Sequence, residues 1–152
     1  MPQRATVWDF VAIFEHSPIL LSRLLPLVGP DDGPEDVIER ARSILLGLDE
    51  RERVAILNAH PRIGDDVRTL SELSAKEQGV PSDASTLREL ESLNERYERT
   101  FGFRFVVFVA GRAKSEIVPI LRERLARTRD EELRTGIEEF LAISLDRLRR
   151  AR

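Results

Sequence analysis

The chain has 152 residues, no cysteine and a net charge of −3 spread over interspersed acidic and basic residues. That length is enough for one well-packed core, the missing thiols exclude disulfides, cysteine nucleophiles and thiolate-bound metal, and the mild acidity argues against nucleic acid as a partner. The longest apolar run, near Phe105 to Ala110, is far too short to cross a membrane, and Met1 to Thr6 lacks the apolar core of a secretion signal, so a cytoplasmic protein is expected.

Thr6-Val7-Trp8-Asp9 has capping-box logic with Asp in place of Glu, and Val7, Phe10, Val11 and Phe14 recur at helical spacing. Ser17 is predicted to cap a second helix with Pro18 at its first position, running through Leu20, Leu21, Leu24 and Leu25 to Pro26. After a Gly-Pro-Asp turn, Pro34 starts a third helix on Val37, Ile38, Ala41, Ile44 and Leu45, which Gly47 stops. Asp49 caps a fourth, carrying Val54, Ile56 and Leu57 to a forced break at His60-Pro61, because proline disfavours helical geometry in the residue before it. Residues 61–73 read as irregular, and Ser74-x-x-Glu77 as a short helical turn ended by Gly79-Val80-Pro81.

Asp83 or Ser85 begins the clearest amphipathic helix, with Leu87, Leu90, Leu93, Asn94 and Tyr97 on one face and Gly102 at its end. Phe103 to Val109 is β-branched and aromatic, which locally favours a strand. No partner strand exists in the sequence, and an unpaired strand leaves backbone groups unsatisfied. The segment is therefore predicted to be a buried extended or irregularly helical connector. Ser115 starts a helix through Leu125, and a last helix runs from about Asp130 to Leu148. The expected architecture is an all-α bundle of seven or eight helices forming a single domain over residues 1–152.

Two histidines are present, and His60 is the one placed at the structural break, where a titratable ring suits acid/base work. His16, in an interhelical turn, reads as a capping or packing residue. Ser74, Glu77 and Gln78 admit two readings. Ser74 and Glu77 make a capping box with no further role, or all three offer a hydroxyl, a carboxylate and an amide to a polar ligand. Arg147 lies four residues after Ile143, beside the apolar stripe, where a guanidinium can meet an anion with paired hydrogen bonds. Neither histidine has a metal-ligand partner at i+3 or i+4, so no metal is expected. Phosphate loops and Gly-x-Ser-x-Gly elbows are absent from the sequence.

With these blocks in view, the sequence resembles the OHCU decarboxylase family of urate catabolism, OHCU being 2-oxo-4-hydroxy-4-carboxy-5-ureidoimidazoline. The resemblance rests on Glu15-His16-Ser17-Pro18, His60-Pro61-Arg62-Ile63-Gly64, Ser74-Ala75-Lys76-Glu77-Gln78, Leu93-Asn94-x-x-Tyr97, Phe101-Gly102-Phe103-Arg104-Phe105-Val106-Val107, Arg124-Leu125, Glu132-Leu133 and Ile143 to Leu148, in that order. It implies an all-α, cofactor-free fold, commonly a homodimer, acting on a small-molecule ureide. The implied reaction converts OHCU to (S)-allantoin with loss of carbon dioxide. On that match His60 is catalytic with Glu77, and Pro61 lines the substrate site. Ser74, Ala75, Lys76 and Gln78 would surround the substrate, Phe105, Val106, Val107, Phe108 and Val109 would supply backbone contacts, and Arg147 matches a late family arginine. The chain departs from the family at Arg104, where proline is usual, at Arg62-Ile63, where Asp-Leu is common, and at Gly79 to Ser82. Two other readings stay open: a non-catalytic helical module that binds a partner, and a decarboxylase of a related ureide or hydantoin.

Overall fold

The computed structural model describes residues 8–15, 17–64, 73, 77–78 and 83–151. Within them lie α1 (Phe10–Ile13), α2 (Pro18–Leu24), a 3-10 turn (Leu25–Leu27), α3 (Pro34–Gly47), α4 (Glu50–Asn58), α5 (Ala84–Phe101), α6 (Lys114–Leu125) and α7 (Arg129–Arg150). No strand occurs among the described residues, so the fold is all-α.

The long α7 is the helix on which the others assemble. Its apolar positions Leu133, Ile137, Phe140, Leu141 and Leu148 recur at steps of three, four and seven, giving a buried stripe along one side. That stripe packs against α3, α4 and α1, while α2 lies on α3 and α4, and α5 pairs with α6. Gly136 lets α4 approach closely, since a methyl group there would sit 2.9 Å from Leu57 Cδ1. One apolar cluster runs from Trp8 through Leu148.

Helix ends follow local chemistry with some corrections. Asp49 accepts from Glu52 N–H at 2.8 Å while Glu52 Oε1 accepts from Asp49 N–H at 3.2 Å, and Asp83 accepts from Thr86 N–H at 2.7 Å. Ser17 does not cap α2; its hydroxyl donates to Phe14 O at 2.8 Å, although Pro18 does take the first helical position. Asp9 itself caps α1 by accepting from Ala12 N–H at 3.2 Å, and Thr6 lies outside the described residues. Gly47 ends inside α3, with Leu48 as the residue that leaves helical geometry.

The segment from Phe103 to Val109 is largely buried and lies in neither helix nor strand, and side chains, most of them on helices, do what a partner strand would have done. Arg104 N–H donates to Asn58 Oδ1 at 2.9 Å, and Phe108 N–H donates to Glu139 Oε1 at 3.0 Å. Val106 O accepts from Arg124 Nη1 at 2.7 Å, while Phe108 O and Val109 O accept from Arg112 at 2.6 and 2.9 Å. Phe103 and Phe105 pack edge-on against Tyr97, at 6.0 and 5.3 Å between ring centres. Beyond Val109 the chain reverses through Ala110 and Gly111 with φ of +53° and +77°. A left-handed alanine is uncommon and carries local strain.

Candidate active site

His60 follows the last turn of α4, its N–H bonded to Leu57 O at 3.2 Å, and Pro61 prevents the helix from continuing. The turn delivers the ring inward, where the residue is only 5% exposed and meets the edge of Phe140 at 5.2 Å. Neither ring nitrogen has a hydrogen-bond partner among the described residues. Burial, with the positive charge of Arg147 acting in the same direction and Glu15 opposing, pushes the imidazole pKa down to about 4. At neutral pH the ring is therefore uncharged and able to accept a proton.

Glu77 reaches Arg147 on α7 in a two-pronged ion pair, Nε to Oε2 and Nη2 to Oε1, both 2.7 Å. Arg147 Nη1 also donates to Glu15 Oε2 at 2.9 Å, just beyond the end of α1, and to Ala12 O within α1 at 2.8 Å. Burial disfavours the charge on Arg147, but Glu77 and Glu15 outweigh it and raise the guanidinium pKa. Glu15 is held here in the left-handed region, with φ of +48°. A non-glycine residue in that conformation is another point of stored strain beside the same side chains.

Gln78 latches the turn after Pro61, its Oε1 accepting from Gly64 N–H at 2.8 Å and its Nε2 donating to Arg62 O at 3.3 Å. Gly64 has φ of +91°, a conformation suited to glycine. Asn94 Nδ2 supports the same turn by donating to Ile63 O at 3.1 Å. Lys114, buried at the start of α6, donates to Gln78 O at 3.0 Å, and its burial lowers its pKa.

These elements enclose a pocket of about 570 Å³, its mouth included. His60, Pro61, Ile63, Glu77 and Gln78 form one side, residues 105–111 a second, and Ile143, Asp146 and Arg150 of α7 a third. An uncharged base and a carboxylate thus face one partly apolar pocket. Arg147 stands behind Glu77 and is not among the described lining residues.

A family model described as OHCU decarboxylase matches residues 1–149. The chain belongs to the OHCU decarboxylase family. It is similar to the 2-oxo-4-hydroxy-4-carboxy-5-ureidoimidazoline decarboxylase of Mus musculus, 32% identical over 126 residues, covering 78% of this chain and 71% of that protein. The Haloferax volcanii protein of the same name is 26% identical over 146 residues, covering 91% and 84%. The uric acid degradation bifunctional protein PucL of Bacillus subtilis is 30% identical over 141 residues, 90% of this chain; the chain spans 28% of its length. A crystal structure of OHCU decarboxylase in the presence of (S)-allantoin superposes with a TM-score of 0.76 at 25% identity, covering 94% of this chain and 96% of that one.

Within this OHCU decarboxylase family member, the structure brings His60, Pro61, Glu77, Gln78 and Phe105 to Val109 to one pocket. Ser74, Ala75, Lys76 and His16 lie outside the described residues. Ile63, Ala110, Gly111, Ile143, Asp146 and Arg150 also line the pocket, and sequence reasoning gave them no place in the site. The α7 members were readable: Ile143, Asp146, Arg147 and Arg150 fall at i, i+3, i+4 and i+7, one face of a helix. Glu15 carried no such signal, because its contact with Arg147 spans 132 residues. Among the described residues no group of three His, Asp or Glu side chains comes together as a metal site, and no helix is long and apolar enough to cross a membrane.

Proposed function

We propose that this chain converts 2-oxo-4-hydroxy-4-carboxy-5-ureidoimidazoline to (S)-allantoin and carbon dioxide without a cofactor. The observation that carries the reading is the uncharged His60 ring, with no partner on either nitrogen among the described residues, facing the same pocket as Glu77. The substrate itself contains the electron acceptor. When the bond to the carboxylate breaks, its electron pair forms a double bond to the neighbouring ring carbon, and the ring C=N pair moves onto nitrogen, which takes a proton. The hydroxyl then gives up its proton, its carbon becomes the carbonyl, and the neighbouring carbon gains a proton. Overall one carboxylate and one proton become one C–H bond and carbon dioxide.

His60 takes the hydroxyl proton as general base. A base with a pKa near 4 becomes a strong acid once protonated, so it readily returns the proton to carbon. Delivery from one side of the pocket gives a single enantiomer. Glu77, fixed by the two bonds from Arg147, accepts hydrogen bonds from ring or ureido N–H groups and sets which face of the substrate is presented. Val107, whose N–H and C=O have no hydrogen-bond partner among the described residues, offers the ring a backbone donor and acceptor on the opposite wall. Arg147 acts through Glu77. Binding to Glu77 and Glu15 keeps its guanidinium from gripping the leaving carboxylate, which would stabilise the ground state more than the transition state.

The same reading places the chain as a single domain in a cytoplasmic homodimer, which sedimentation of the purified protein tests for the dimer. Purified protein added to freshly oxidised urate should speed the appearance of dextrorotatory allantoin, followed by circular dichroism. An unchanged rate and a racemic product would rule the proposal out. A panel of related ureides and hydantoins in the same assay separates this substrate from its neighbours.

A further inference from the structure

We propose that Arg104 is a positioning residue for His60, holding the imidazole in place by clamping the end of α4 to the segment that forms the 105–111 wall of the pocket. The inference rests on the reading of His60 as the proton-handling group. Because neither ring nitrogen is bonded to a protein group among the described residues, no side-chain hydrogen bond fixes the ring. Its place is set by the edge contact with Phe140 and by the backbone that carries it.

That backbone is the end of a helix, where the last carbonyls have no partner within the helix. Arg104 supplies one. Its Nη1 donates to Asn58 O at 3.0 Å and to His60 O at 2.8 Å, and its backbone N–H donates to Asn58 Oδ1 at 2.9 Å. A guanidinium also favours the negative end of the helix dipole. Arg104 directly precedes the 105–111 wall, so one residue links the two sides of the cavity. No neutral residue repeats this set: alanine keeps only the backbone bond, and proline loses all three. Lysine retains the charge and a donor able to reach one carbonyl, without the planar fork.

The test uses the full chain with Arg104→Ala, Arg104→Lys and Asn58→Ala. In the decarboxylation assay Arg104→Ala should lower kcat roughly 10- to 100-fold, as misplacement of a reacting group does, with KM changed less than about twofold. Arg104→Lys should recover part of that loss. A second readout needs no activity. The chain has only two histidines, so a carbon–proton spectrum of the imidazoles gives two signals for each ring position, and His60→Asn assigns them. Arg104→Ala should move the His60 signal, Arg104→Lys should move it back towards wild type, and Asn58→Ala should move it in the same direction by less. If Arg104→Ala fails to fold, Asn58→Ala decides alone. An unmoved His60 signal in the folded variants overturns the clamp, as does an unchanged kcat in Arg104→Ala. Wild-type protein inactive on the substrate counts against the proposed reaction, while the ring signals still decide the clamp.

Discussion

Two buried ionic clusters, each joining arginine to glutamate, act to opposite effect. In one, Glu132 accepts from Tyr97 Oη at 2.6 Å, Arg124 Nε at 2.7 Å and Arg127 Nη1 at 2.8 Å. Arg124 also holds Val106 O and lies 4.5 Å over the Phe105 ring. In the other, Arg147 joins Glu77 and Glu15, and the neighbouring His60 has two ring nitrogens with no partner among the described residues. Buried polar groups are normally bonded, so the fully bonded Glu132 carboxylate reads as scaffold, although Arg124 Nη2 beside it lacks a partner among the described residues, and an orphaned ring beside a cavity reads as a place prepared for something else. The first supports the 105–111 wall through Val106, and the second holds Glu77 on another side of the pocket. Only the second leaves a titratable group facing the cavity without a bond.

The sharpest way to break this contrast is to remove one member from each side. His60→Asn should lower kcat by about 10³- to 10⁴-fold, the upper range for a lost general base, while the melting temperature stays near wild type. Glu132→Ala should do the reverse. It strands Arg124, Arg127 and the Tyr97 hydroxyl around a residue that is 0% exposed, at a cost of about 3–5 kcal/mol of stability. Urea unfolding measures that loss, and kcat of the folded fraction should change far less than in His60→Asn. Equal damage to rate and stability in both variants would erase the distinction.

The same contrast shows what a reader of the sequence can and cannot see. Helical spacing exposes α3, α5 and α7, and Asp49 and Asp83 announce their caps, because those signals lie within one or two turns. The His60-Pro61 break and the offset of Arg147 from the α7 stripe are local in the same way. The connector is different. Its residues favour a strand, and what replaces a partner strand is Arg124, Glu139, Asn58 and Arg112, three of them on helices elsewhere in the chain. Arg104 looked like a mere departure until its bonds to Asn58 and His60 were visible. The sequence-level value for a histidine, about 6.5, also misses the depressed pKa, since burial and the nearness of Arg147 arise only in the fold.

That depressed value gives the next effect in size. His60 titrates near 4 when folded and near 6.5 when unfolded, so between those pH values the unfolded chain binds more protons. Stability from this group is intact above pH 6.5 and is lost as pH falls towards 4, by roughly 3 kcal/mol in all. Urea unfolding across that window should show wild type losing about that much more than His60→Asn, in which the titration is absent. Equal pH slopes for the two proteins would mean the ring is hydrated in solution. The acid limb of kcat/KM should likewise fall nearer pH 4 than 6.5 insofar as His60 governs it.

The smallest change asks whether the scaffold cluster reaches the chemistry at all. Tyr97→Phe keeps the ring that packs on Phe101, Phe103 and Phe105 and deletes only the hydroxyl that donates to Glu132. Glu132 retains Arg124 and Arg127, so the lost bond should cost about 1 kcal/mol and lower the melting temperature by about 2–4 °C. Burial, only partly offset by Arg124, drives the Tyr97 hydroxyl pKa well above its ordinary value, so it stays protonated and has no part in proton transfer at neutral pH. Steady-state kcat and KM should therefore match wild type at 25 °C. A fall in kcat without a fall in melting temperature would mean that the Glu132 cluster transmits to the pocket through Arg124 and Val106, making the wall it supports part of the catalytic apparatus.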